Sequence, residues 1–202
     1  MPNFVADGKK QVEAGFSPSQ KTKDAMARVA TLYKDIGQTW GAGMLSTGPG
    51  NRAFRSTDPI TGIIKTVVQI DLTGLAAKGD VAEDVIGLEA GGAAYIYQNV
   101  VADNGIIFQY TVSCIELPTG TNTTTDIDLT FNSAADKIYD NPLGTVTHDL
   151  DTLVAGETFT SAAASPITAN HYLYLVEGSN SHSGGTYTGG QYVFTFYGYP
   201  VR

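Results

Sequence analysis

The 202-residue sequence predicts a mainly β protein: an antiparallel β-sandwich, jelly-roll-like and of about eight strands, behind an N-terminal α-helix and an extended arm. Three observations predict it. From residue 63 onward, apolar side chains recur at every second position in short runs, the spacing of a strand with one covered face. Turn residues separate these runs and no helical period intervenes, so the strands pair through turns, as in sandwiches and barrels. Charged residues make up only 16%, against the ~25% usual for soluble domains. Gly, by contrast, is plentiful at 23 residues, a composition of short strands and tight turns.

The first element is the helix, over residues 18–36. Ser17 supplies an N-cap, Pro18 the first helical position and Gln20 the N3 partner of a capping box. Ala25, Met26, Val29, Leu32, Tyr33 and Ile36 then recur at three- and four-residue steps, one apolar stripe, and Gly37 is the C-terminal stop. Residues 37–62, "GQTWGAGMLSTGPGNRAFRSTDPITG", have no sustained period. They read as an extended arm with a short strand around Trp40 to Leu45, anchored by Trp40, Met44 and Phe54. The domain reading is therefore helix and arm over 1–62 and sandwich body over 63–202, with the body expected to survive removal of 1–62.

In the body, "IIKTVVQIDL" puts Ile64, Val68, Ile70 and Leu72 on one face and Lys65, Gln69 and Asp71 on the other. "AAYIYQNVV" and "GIIFQYTVSCIEL" follow, joined by the hairpin-like "ADNG". The second of these points Ile106, Phe108, Tyr110, Val112 and Cys114 inward. "TDIDLTF" alternates Ile127, Leu129 and Phe131 inward with Asp126 and Asp128 outward. "GTVTHDL" and "ETFTSA" are weaker strands, and "HYLYLVEG" and "QYVFTFYGY" close the series. In the last, Tyr192, Phe194 and Phe196 face one way, and Val193, Thr195, Tyr197 and Tyr199 the other. Both faces are apolar, so both call for a cover.

The net charge of −8 is unevenly spread. Residues 1–65 hold nine of the twelve Lys/Arg and five of the twenty Asp/Glu, a net +4, and residues 66–202 a net −12. That pattern is a basic arm on an acidic body. The arm's lysines are interleaved with acids and the body repels phosphate, so no nucleic-acid partner is expected. The start, "MPNFVADGKKQ", lacks the apolar core of a signal peptide, and apolar runs such as "AAYIY" and "YLYLV" are five residues long, far short of a membrane span. The expectation is a chain made soluble in a cytoplasm, with no membrane partner.

Chemistry is sparse. No Gly-x-Ser-x-Gly elbow or P-loop is present, and "GAGMLSTG" puts Ser46 where a dinucleotide loop needs its third glycine. His148, His171 and His182 have no metal-ligand spacing, and the lone Cys114 can form neither an intrachain disulfide nor a thiolate zinc site. Asp126 with Asp128, and Asp149 with Asp151, are i,i+2 pairs able to share a strand face, as calcium ligands or glycosidase carboxylates do. Solvated carboxylates are the simpler reading. Asn122 begins a sequon that reads as a polar turn. The expectations are no catalytic residue, no cofactor and no metal. Tyr187, Tyr192, Tyr197 and Tyr199 read as subunit contacts ahead of a sugar-stacking platform.

"VVQIDLTGL", "GDVAEDVIGLEAGGAAYI", "CIELPTGTNTTTDIDL", "AGETFT" and "ANHYLYLVEG" with "GGTYTGGQYVFTFYGY" together resemble small structural proteins of marine tailed bacteriophages, of the head decoration or cement kind, over about residues 64–199. The resemblance implies a non-enzymatic virion component on the capsid surface, made in the host cytoplasm, often trimeric and bound to the major capsid protein. The contacts expected toward shell or sister subunits are Lys9, Lys10, Lys21, Lys23, Arg28, Trp40, Arg52, Phe54, Arg55, Tyr197 and Tyr199. The alternatives are a carbohydrate- or receptor-binding tip of a fibre or spike, and a self-assembling shell or fibre subunit.

Overall fold

In the computed structural model, residues 34–144, 148–150, 153–161, 167–178 and 183–201 are described. Ten strands and two short helical turns occupy this span, and Lys34–Arg202 form one compact unit. The strands are β1 (Lys34–Asp35), β2 (Arg52–Thr57), β3 (Ile64–Asp71), β4 (Ala76–Ala77), β5 (Tyr95–Gln98), β6 (Ile106–Gly120), β7 (Ile127–Asn132), β8 (Thr158–Thr160), β9 (Tyr172–Glu177) and β10 (Gly185–Tyr199). A single α-helical turn, α1 (Val101–Asn104), precedes β6.

The larger sheet runs β1-β2-β3-β10-β6-β8, with β4 paired to the start of β10, and the smaller runs β5-β9-β7. Every strand pair is antiparallel. The two sheets face each other across one core, the arrangement of a β-sandwich. Period-two patterning explains the larger sheet. Val68 and Ile70 of β3, Tyr192, Phe194 and Phe196 of β10, and Tyr110, Val112 and Cys114 of β6 all point inward and are buried. They meet Ile96 and Tyr97 of β5, Leu129 of β7, and Leu173 and Leu175 of β9 in one cluster.

Several expectations are corrected. The helix cannot run to residue 36, because Lys34 and Asp35 are extended and paired with Arg55 and Phe54 of β2. Ile36 continues that pairing through its N–H to the Ala53 carbonyl, at 3.1 Å. Residues 18–33 lie outside the described residues. The stretch 37–62 is no free arm. Residues Arg52 to Thr57 pair along their whole length with β3, and the stretch from Trp40 to Leu45 coils into a 3-10 turn at Ala42–Met44 instead of a strand. That turn hugs the start of β5, with Gly41 and Gly43 each donating to a backbone carbonyl there at 2.8 Å. A side chain at Gly41 would run into the Ala93 carbonyl and one at Gly43 into the Gly92 carbonyl, so the close approach requires glycine.

"ADNG" is not a hairpin. Strand β5 pairs with β9 and β6 with β10, so α1 and Gly105 carry the chain from one sheet to the other. A β-bulge then opposes Gly198 to Ile107 but Tyr197 to Gln109. The extra residue inverts the alternation below Tyr110, which buries Ile107 and turns Ile106 outward. Asp71, read as outward, is buried: its carboxylate accepts from the Thr73 N–H and hydroxyl at 2.9 and 2.7 Å.

Candidate functional site

The outward face of the larger sheet is built by alternation, broken at the β6 bulge. Phe54, Val67, Thr195, Thr111 and Thr160 form one row across five strands. Beside it lies the row Ser56, Lys65, Tyr197 and Gln109, in which the Lys65 ammonium stands 5.9 Å from the Tyr197 ring centroid. The bulge places Phe108 on this same face, stacked on Tyr199 at 4.3 Å and within 6.5 Å of Tyr197. An aromatic strip of Phe108, Tyr197 and Tyr199 thus continues outward from the Phe54–Val67 pair.

At the end of this face apolar groups stand in the open. Ile60 is 93% exposed, Val201 58%, Ile106 56% and Tyr199 53%. Ile60 is held there by a tight turn, since the Asp58 carboxylate accepts the Ile60 and Thr61 N–H groups at 2.8 Å each. These backbone donors, Thr61 first and Ile60 next, hold the Asp58 carboxyl below its usual range. The turn abuts the chain's other end here, because a Cβ on Gly62 would meet the Pro200 ring at 3.6 Å.

Of the expected contact residues, Lys9, Lys10, Lys21, Lys23 and Arg28 lie outside the described residues. Arg52, Phe54, Tyr197 and Tyr199 fall on or beside this outward face. Trp40 instead packs against the core. Arg55 faces inward, where its guanidinium donates to the Asn104 side-chain oxygen at 2.8 Å and to the Thr66 hydroxyl at 3.4 Å. Phe108, Ile106 and Ile60 were not among the expected residues: the bulge that places Phe108 and Ile106 here has no signal that period-two reading could detect, and Ile60 lies in a turn outside any alternating run.

Arg55 forms one wall of a polar cleft of about 210 Å³ between β2, β5 and α1. Its guanidinium lies 3.8 Å from the Asp103 carboxylate, which is 56% exposed. Tyr95, Tyr97 and Gln98 of β5 line the same space with Thr39. The Tyr97 hydroxyl is buried facing Thr66 and Arg55, and the Thr39 hydroxyl oxygen is buried as well. Burial drives the Tyr97 phenol far above its ordinary value, so it stays protonated.

The aspartates of β7 depart most from expectation. Asp126 and Asp128 are buried, and Asp149 joins them, with one oxygen from each carboxylate within 4.8 Å of the others. The cause is a segment distant in sequence: His148 bridges Leu129, and the Leu150 N–H donates to the Asp128 carboxylate at 2.9 Å. The face that alternation assigned to solvent is therefore covered. Three close carboxylates offer the oxygen donors that a hard cation such as Ca²⁺ takes.

His148 sits among aromatic rings, 5.2 Å from Tyr110 and 6.0 Å from Phe159, and burial lowers its pKa. Cys114 is a buried core thiol whose pKa burial raises, as the alternation predicted. Among the described residues, no helix is long and apolar enough to cross a membrane. No protein-family model, curated protein or solved structure matches this chain.

Proposed function

We propose that this chain is a non-enzymatic structural protein of a tailed-phage virion, one that decorates the outside of the assembled head and reinforces it. The observation that carries the reading is the outward face of the larger sheet. An aromatic strip there ends in Ile60, Ile106, Tyr199 and Val201, all largely exposed, which is more apolar surface than a lone sandwich needs to present. Exposed apolar area rimmed by polar rows is the makeup of a contact surface. The major capsid protein is the proposed partner, with sister copies as a compact trimer around the same face. The reading includes a jelly-roll-like course for the chain and the sequence-read helix upstream of Lys34, whose lysines would face acidic patches on the shell.

The mechanism is linkage. A protein that binds only the assembled shell stabilises it by mass action, with apolar burial supplying most of the affinity and charge the orientation. Electron microscopy of intact particles, with light scattering of the purified chain, tests it. The expected result is density for this chain on the head exterior and a compact trimer in solution. A stable monomer with no affinity for any shell overturns it.

A further inference from the structure

We infer that the outward face of the larger sheet docks on a second copy of this chain, at an acidic corner formed by the loops that follow β4 and β7. The inference rests on the decoration reading for the trimer and adds the surface that the sister copy presents.

Symmetry sets the problem. Copies in a closed trimer meet through two different patches, whereas a two-fold dimer sets one patch against itself. Register places Arg52 and Lys65 on the β2–β3 side of the outward face, against Asp35. Two such faces brought together would set cations near cations. The rest of the body repels other copies too, since residues 34–202 hold seventeen Asp/Glu against seven Lys/Arg. A contact between copies is therefore favoured where this basic, aromatic face meets an acidic patch, because complementary charge steers the encounter and fixes its register.

The corner supplies that patch. The Leu143 N–H donates to the Glu83 carbonyl at 3.2 Å, and Asp84 pairs with Pro142, which ties the two loops together. The Lys78 ammonium spans them, 3.4 Å from the Asp80 carboxylate and 2.9 Å from that of Asp140. Glu89 acts with Asp140 and Lys78 on the Tyr139 phenol, so it belongs to the same corner. Asp80, Glu83, Glu89 and Asp140 together outnumber Lys78, the cation they surround.

Apolar groups stand among these charges. Val81 in one loop and Ile138 in the other are both exposed. An apolar centre rimmed by carboxylates complements the strip of Phe108, Tyr197 and Tyr199 flanked by Lys65. The corner adjoins the smaller sheet, through the bridge of Val85 to Val176 and the Glu83 N–H to the Glu177 carbonyl at 3.0 Å. The two patches thus belong to different layers of the sandwich, and one copy can use both at once.

Analytical ultracentrifugation of the purified full chain tests the contact, with binding to intact particles read separately. Arg52→Glu with Lys65→Glu, and Asp80→Lys with Glu83→Lys, should each weaken the trimer about tenfold. All four changes in one chain should restore it. Ile138→Asp should weaken the trimer about a hundredfold without altering the circular dichroism spectrum, since the side chain is exposed. Mixing Ile138→Asp with Tyr199→Asp should then give one-to-one pairs, because each variant keeps the patch the other lacks. A trimer indifferent to Ile138→Asp, or one that the combined charge reversal does not restore, overturns the inference and leaves the decoration reading standing. So does a monomer that still coats intact particles. A monomer that binds no shell overturns both.

Discussion

The Tyr97 ring lies flat on Phe196, with centroids 4.5 Å apart and planes 9° from parallel. One ring belongs to β5 and the other to β10, so this stack joins the smaller sheet to the middle of the larger one. Phe196 also lies 6.1 Å from Tyr110, which meets Phe131 of β7 edge-on at 5.9 Å. Phe196→Ala should therefore destabilise the fold by about 3–5 kcal/mol. Phe196→Leu, which keeps most of the volume, should cost about 1 kcal/mol. Urea unfolding of both variants checks the order and the size.

His148 makes stability depend on mild acid. Burial among Tyr110, Phe131 and Phe159 lowers its pKa from 6.5, so the folded state holds fewer protons than the unfolded one just below that pH. The stabilisation is fully present above 6.5 and is lost as pH falls through the lowered folded value. His148→Phe should flatten the pH dependence of the urea midpoint in that window. A variant that keeps the wild-type slope would show that another group is responsible.

Asp84 works in the opposite sense. It is 1% exposed, and burial raises its carboxyl pKa above 3.8 against the opposing pull of the Val81 N–H. Asp140 and Asp80 push the same way as burial, and Lys78, bonded to Asp140 at 2.9 Å, opposes them. The folded state therefore binds the extra proton. Its contribution is complete below pH 3.8 and declines as pH rises through the folded value. Asp84→Asn should gain stability over the wild type as pH increases toward neutrality, with the gain vanishing in strong acid. Thermal melts across a pH series read this directly.

Truncation separates the sheet from the chain ahead of it. Removing residues 1–33 leaves every pair of the larger sheet in place, so the remaining chain should melt as one cooperative unit. Removing residues 1–62 takes away β1 and β2 and uncovers the whole β3 edge, with the Phe54–Val67 and Ala53–Val68 pairings lost. An uncovered edge is a template for pairing with other chains. The longer truncation should aggregate, and analytical ultracentrifugation of the two would show it.

Where alternation along one strand decided burial, the sequence was readable: Val68, Ile70, Tyr110, Val112, Leu129, Phe194 and Phe196 are all core residues as patterned. Where a distant segment decided it, the pattern misled. Asp126 and Asp128 alternate as solvent-facing residues do, yet chain twenty residues further on covers them. Arg55 and Trp40 look like exposed contacts in a Gly-rich stretch until β2 is zipped to β3. Tyr199 was legible as an outward aromatic, but its stacking partner Phe108 depended on a one-residue bulge. The polar cleft was illegible, since Arg55, Tyr97 and Asp103 come from three elements and Thr39 from the loop after β1, with no shared motif.

Strand β10 fills the gap between β3 and β6, and its pairing with β3 links Gln69 to Gln191, 122 positions apart. Until that distant stretch arrives, two long ribbons wait side by side with nothing between them. Searching for such remote partners is slow, and the delay lengthens with sequence separation. Refolding should therefore be sluggish and sensitive to crowding by other copies, with yield falling steeply as concentration rises. A chain of this topology gains from being produced cool and dilute.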